Sequence, residues 1–168
     1  MNNILEVKNL TMHYETMDGN VDAVKNVSFN IKTGESFGIV GESGCGKTSV
    51  AMSLLQLQAE NGNISSGSIL FKGTELVGMS ENDLRKIRWD GISIVFQGAM
   101  NAWNPVVKVG EQIREAMREH SPESSKAQNT EKINKLFSMV GLDSSVAGRF
   151  PHELSGGMKQ RAIIALAL

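Results

Sequence analysis

The stretch "GESGCGKT", Gly41 to Thr48, constrains this chain more than any other. It satisfies the pattern G-x-x-x-x-G-K-[ST], in which the backbone N–H groups of a glycine-rich loop curl around a phosphate. The pattern carries weight only between a buried strand and a helix, and the sequence supplies both readings. "SFGIV" (Ser36 to Val40) is almost continuously apolar or small, as a strand buried on both faces of a parallel sheet is. "VAMSLLQL" (Val50 to Leu57) has helical spacing. Gly41, Gly44 and Gly46 let the backbone approach an anion without a Cβ in the way. Lys47 then meets the outer phosphates, and the Thr48 hydroxyl is placed for Mg²⁺. Cys45 occupies a variable position of the loop where a small residue suffices; as the single cysteine it excludes an internal disulfide.

The flanking sequence divides in character. Ile4 to Met12 and "VSFNIK" (Val27 to Lys32) alternate with period two, which predicts an antiparallel pair joined by the turn "MDGN" (Met17 to Asn20). "GSILFKG" (Gly67 to Gly73) reads as a strand, "ENDLRKIR" (Glu81 to Arg88) as a short polar helix and "GISIVF" (Gly91 to Phe96) as a second buried strand. Beyond Gln97 the spacing is helical over Val109 to His120, Thr130 to Leu142 and Gly157 to Leu168, and the polar run Ser121 to Asn129 is a loop or a surface helix start. The expected organisation is a strand-rich part over 1–97 and a helical part over 98–168.

Composition removes several classes. Hydrophobic residues at 40% place the chain among globular proteins rather than disordered ones. A net charge of −1 leaves no electrostatic footprint for nucleic acid. The N-terminus lacks a basic region followed by an apolar block, so no secretory signal is read. No run approaches the roughly 18 apolar residues of a membrane span.

Three further stretches narrow the phosphate-loop reading. "LSGGM" (Leu154 to Met158), followed by "KQRAIIALAL", resembles the signature motif of ABC-type ATPases. "IVFQ" (Ile94 to Gln97) resembles the strand entering their Q-loop, and Tyr14 stands where that family places an aromatic on adenine. The segments "VFQGAMNAWNPVVKVGEQI" and "FPHELSGGMKQRAIIALAL" look like the ATPase subunits of peptide and nickel importers, the dipeptide and oligopeptide permease group. Trp103 departs from the leucine expected there.

The resemblance implies an α/β fold of the P-loop NTPase type: antiparallel N-terminal strands, a parallel core sheet and a helical subdomain. It implies ATP and Mg²⁺ as cofactors. Tyr14, Gly41, Gly44, Cys45, Gly46, Lys47, Thr48 and Ser49 then face one nucleotide, with Thr48 and Gln97 at the metal. Lys47 and Gln97 are the residues expected in catalysis, and Ser155, Gly156 and Gly157 cover the γ-phosphate held by a second ATPase subunit, identical or different. His152 is expected at a helix entry, because the family's catalytic histidine lies downstream of the signature. Implied partners are transmembrane permease subunits and, indirectly, a solute-binding protein, with the chain peripheral on the cytoplasmic face of the membrane. The apolar group Trp103, Pro105, Val106 and Val107 suits a permease docking groove between Gly98 and Glu115.

The family also places a Walker B strand, with a metal-binding Asp and a water-polarising Glu, after the signature helix. None follows here before Leu168, so the chain reads as truncated, with a P-loop core expected to be incomplete, poorly soluble alone and without steady ATPase. The alternatives are a nucleotide-binding fragment without activity and an ABC ATPase acting on nucleic acid or ribosomes. The latter favours a basic surface or a long coiled-coil insertion, and the sequence has neither.

Overall fold

The computed structural model describes residues 2–120, 123 and 125–168. The chain forms two compact units, Met1–Arg88 and Trp89–Leu168.

The first unit is built on strands β1 (Asn3–Thr16), β2 (Gly19–Lys32), β3 (Gly62–Phe71) and β4 (Thr74–Glu75), with helices α1 (Lys47–Leu54) and α2 (Glu81–Ile87). The sheet order is β2-β1-β3-β4, and every pairing is antiparallel. Met17 and Asp18 turn the β1–β2 hairpin, inside the expected "MDGN" stretch. Strand β1 buries Leu5 and Val7, then Leu10 and Met12. The parity changes because a bulge separates Val7 from Leu10, with Asn9 at φ 50°. The Asn9 N–H donates to Ser28 Oγ at 2.8 Å, so the interrupted ladder regains a partner. On the other side, a Cβ on Gly67 would lie 2.6 Å from Leu10 Cα, and Gly67 has φ +101°. Glycine is required where these strands approach so closely.

Strand β4 is anchored by one carboxylate. Glu75 Oε1 accepts from the Ile69 N–H at 2.8 Å and the Val77 N–H at 3.0 Å. Burial opposes the charge on Glu75, but these backbone donors and Ser68 outweigh it and hold the carboxyl below the usual glutamate range. A lowered folded pKa stabilises above the unfolded pKa of about 4.3 and is lost as pH falls through the folded value. The β3–β4 corner is therefore expected to lose hydrogen-exchange protection as pH drops below about 4, and Glu75→Gln is expected to remove that pH dependence.

The second unit packs α3 (Val109–His120), α4 (Lys126–Met139) and α5 (Gly156–Ala167). Helix α3 contributes Val109, Ile113 and Met117, one face at i, i+4, i+8, and α4 contributes Ile133, Leu136 and Phe137. Trp103, Ala162 and Ile163 complete the same core. Helix α4 begins earlier than the apolar spacing suggests, because Ser125 and Gln128 form a reciprocal capping box. Within the expected loop over 121–129, Ser121, Pro122 and Ser124 lie outside the described residues.

Two expectations are corrected. Neither Ser36–Val40 nor Gly91–Phe96 is a strand, and no parallel sheet forms among the described residues. Both were read as buried on two faces, yet Val40 is 93% exposed and Phe96 47%. A strand exists only through hydrogen bonds to a neighbour; Ser36–Val40 pairs with no described segment, and Gly91–Phe96 has only an isolated bridge at Ile92, whose carbonyl accepts from the Trp89 N–H at 2.8 Å. Phe37 keeps one apolar contact, its ring stacked 5.0 Å from that of Phe29 on β2.

Candidate nucleotide site

The loop after Val40 runs into α1, whose first residue is Lys47 and whose N-cap is Gly46 at φ 89°. A glycine cap supplies no side chain, and the first-turn N–H groups of Lys47, Thr48 and Ser49 have no acceptor within the helix. The helix therefore presents free donors and the positive end of its dipole toward the loop. Gly44 is also left-handed, at φ +80°.

Gly46 has a second constraint that the pattern alone does not reveal. A Cβ there would sit 2.1 Å from the Ala23 carbonyl oxygen on β2. The hairpin thus seats the loop, and only glycine permits the contact. Ala23 carries no chemical signature, so nothing in the sequence singles it out.

Lys47 Nζ donates to the carbonyls of Gly41 at 2.8 Å and Glu42 at 2.6 Å, and lies 3.5 Å from Cys45 Sγ. The cation is held over the curl of the loop. Cys45 is exposed, and its sulfur lies 2.6 Å from where a Cβ on Gly41 would be, so Gly41 is glycine partly to admit that side chain. A cation together with convergent backbone donors fits a phosphate chain, and the exposed Thr48 beside them offers one oxygen to a hard cation.

Tyr14, near the end of β1, pairs with Val21 and Gly62. A Cβ on Gly62 would come within 3.0 Å of Tyr14 Cε1, so that glycine makes room for the ring. The phenol oxygen lies 3.3 Å from Ser49 Oγ on α1. Tyr14, the loop and Ser49 are thereby brought together in the first unit.

Gln97 and the Ser155–Gly157 stretch belong to the second unit. Gln97 is exposed in a turn before Gly98, at φ +81°, and the 3-10 turn Ala99–Asn101. Ser155 is the N-cap of α5, its Oγ accepting from the Met158 N–H at 3.4 Å. A hydroxyl that accepts retains its own hydrogen to donate. A Cβ on Gly156 would meet only Met100 Sδ, at 3.7 Å, and one on Gly157 would meet nothing within 4 Å. Internal packing therefore gives no reason for glycine at 157. Arg161 fixes the start of α5, with Nη1 donating to the Gly141 carbonyl at 2.9 Å and Nε to that of Gly157 at 3.4 Å. His152 stacks on Phe150 at 5.6 Å in the turn leading to α5.

The profile of the ABC transporter family matches residues 24–168. The chain belongs to the ABC transporter family. This ABC chain is 42% identical to the dipeptide transport ATP-binding protein DppD of Lactococcus lactis over 98% of its own length and 48% of that protein's. It is 41% identical to the oligopeptide transport ATP-binding protein OppD of Escherichia coli, over 98% of its length and 49% of the relative's. The chain thus spans about half the length of the curated relatives it matches. Among solved structures it resembles the dimeric bacterial ABC transporter cassette MJ0796, with a TM-score of 0.83, 29% identity, and coverage of 98% of this chain and 68% of that one. A post-hydrolysis state of that cassette, bound to ADP and Pi, aligns with a TM-score of 0.82 and 29% identity, over 98% of this chain and 68% of that one. Among the described residues, no helix is long and apolar enough to cross a membrane.

Proposed function

We propose that this ABC chain is the nucleotide-binding part of an importer ATPase subunit, in which ATP binding and hydrolysis drive uptake of peptides or related solutes. The observation that carries the reading is the convergence of Lys47, the open first turn of α1 and Tyr14 on one loop. The peptide-transport relatives narrow the solute class.

Lys47 and the α1 N–H groups hold the phosphates, and Tyr14 supplies the face on which adenine stacks. Thr48 and Gln97 are the residues that would hold Mg²⁺, which would offset charge on the phosphates. Ser155, Gly156 and Gly157 face outward to close on the nucleotide of a second ATPase subunit, a role supported by the absence of an internal demand for glycine at 157. The working assembly adds membrane-spanning permease subunits and a solute-binding protein, with the ATPase peripheral on the cytoplasmic side.

Gly157→Asp tests this arrangement in the full-length subunit. The new carboxylate has room in its own chain but would face the partner's γ-phosphate, and such like-charge juxtaposition costs several kcal/mol. ATP-driven dimerisation, followed by sedimentation, is expected to weaken at least about tenfold while ATP binding to the monomer stays within about twofold. A dimer as tight as wild type would remove the signature stretch from the interface.

A further inference from the structure

Tyr14 offers two chemical groups to its surroundings, and stacking on a base uses only one of them. The ring is seated by Gly62, where a Cβ would come within 3.0 Å of Tyr14 Cε1. The phenol oxygen lies 3.3 Å from Ser49 Oγ, on the first turn of α1. A phenylalanine would present the same face to a base, so stacking gives no reason for the hydroxyl.

Ser49 is the more unusual member of the pair. A serine inside a helix often turns its hydroxyl back to the carbonyl four residues earlier. Ser53 does this, its Oγ donating to the Ser49 carbonyl at 2.8 Å. Ser49 makes no such bond, and among the described residues its side chain bonds to Tyr14 alone. Its N–H is meanwhile one of the first-turn donors without an acceptor in the helix. Ser49 therefore stands at the anion-binding end of α1 with its hydroxyl kept off the helix carbonyls.

The donor inventory decides how this pair orders itself around an anion. Each hydroxyl has one hydrogen to donate and two lone pairs. Ionised phosphate oxygens only accept, so Ser49 must give its hydrogen to them, and Tyr14 must then donate to Ser49 Oγ. In the free protein either oxygen can be the donor, and their 3.3 Å separation exceeds the roughly 2.7–2.8 Å usual between hydroxyls. A chain of donors that ends on an anion polarises along its length, which strengthens each bond.

We propose that Tyr14 is a positioning residue for phosphate as well as a stacking face for the base: its hydroxyl donates to Ser49 Oγ and so aims the Ser49 hydrogen at phosphate on the first turn of α1. The inference rests on the nucleotide reading of this loop and deepens it, because it ties the hairpin that carries Tyr14 to the helix that carries the phosphate donors. Without the phenol hydroxyl, Ser49 is free to turn back toward the Cys45 carbonyl, and the ligand loses that hydrogen.

The test compares ATP with inorganic tripolyphosphate, a ligand without a base, on the full-length subunit. Calorimetry reads ATP binding, and displacement of a fluorescent ATP analogue reads tripolyphosphate. Tyr14→Phe keeps the ring and removes only the hydroxyl; it is expected to weaken both ligands by the same factor, about three- to tenfold. Ser49→Ala is expected to weaken both about ten- to a hundredfold. In that background Tyr14→Phe should change either affinity by less than about twofold. Ser49→Thr, which keeps a hydroxyl, should retain the sensitivity to Tyr14→Phe. A hairpin merely loosened by Tyr14→Phe would instead add its loss to that of Ser49→Ala. A loss confined to ATP, unchanged affinity for both ligands, or additive losses in the double variant would each overturn the assignment while leaving the nucleotide reading intact. Wild type that binds ATP but releases the analogue to no concentration of tripolyphosphate would overturn it as well. Absence of ATP binding by wild type would bring down the nucleotide reading together with this inference.

Discussion

Gly46→Ala is expected to abolish ATP binding and to loosen the first unit at the same time. Two costs combine at this position. A non-glycine residue held at φ +89° carries roughly 1–3 kcal/mol of backbone strain. The added Cβ would also lie 2.1 Å from the Ala23 carbonyl oxygen, a distance that backbone must move to relieve. Moving the loop off β2 displaces the first turn of α1 and with it the donors aimed at phosphate. Gly44→Ala is the control, since it has φ +80° but nothing within 4 Å of its Cβ. It should incur only the strain. Melting curves are expected to show a drop of at least about 10 °C for Gly46→Ala and of about 5–10 °C for Gly44→Ala, with measurable ATP binding surviving only in the second. Equal behaviour of the two variants would mean that the Ala23 contact does not seat the loop.

Lys47→Ala should separate affinity from stability. The Lys47 ammonium is bonded to the carbonyls of Gly41 and Glu42 at an exposed loop, where water competes and such bonds contribute little to folding. The same cation facing a phosphate makes charge-assisted bonds of about 1.5–3 kcal/mol. ATP affinity is therefore expected to fall about 10- to 100-fold while the melting temperature changes by less than about 2 °C. Calorimetric titration of ATP into both proteins reads the first quantity and thermal unfolding the second. An affinity within twofold of wild type would take Lys47 out of the phosphate site.

Much of this was legible from residues because the information was local. The glycine and lysine spacing of Gly41–Thr48 is set by the needs of one loop, and α3 repeats its apolar positions over a full amphipathic face. The hairpin around Met17 likewise depends on neighbours a few residues away. What escaped depends on contacts distant in sequence. The β1 bulge is held by Ser28 and Gly67, and the loop seat by Ala23, none of which carries a local signal for its role. The apolar runs at 36–40 and 92–96 are the instructive misreading. Apolar composition reports a tendency to be buried, whereas strand structure requires a paired neighbour, and Val40 and Phe96 remain exposed without one. Met100 against Gly156 is also invisible in advance, since a methionine near a glycine loop has no pattern of its own.

The account centres on ATP held at Gly41–Thr48 driving solute uptake, and accumulation of labelled peptide in proteoliposomes tests that directly. The vesicles would contain the full-length subunit assembled with its permease, with solute-binding protein and ATP supplied on their respective sides. The expected result is peptide accumulation that requires ATP and disappears with Lys47→Ala, although the variant still assembles. Accumulation that proceeds without ATP, or that persists undiminished in Lys47→Ala, would contradict the account.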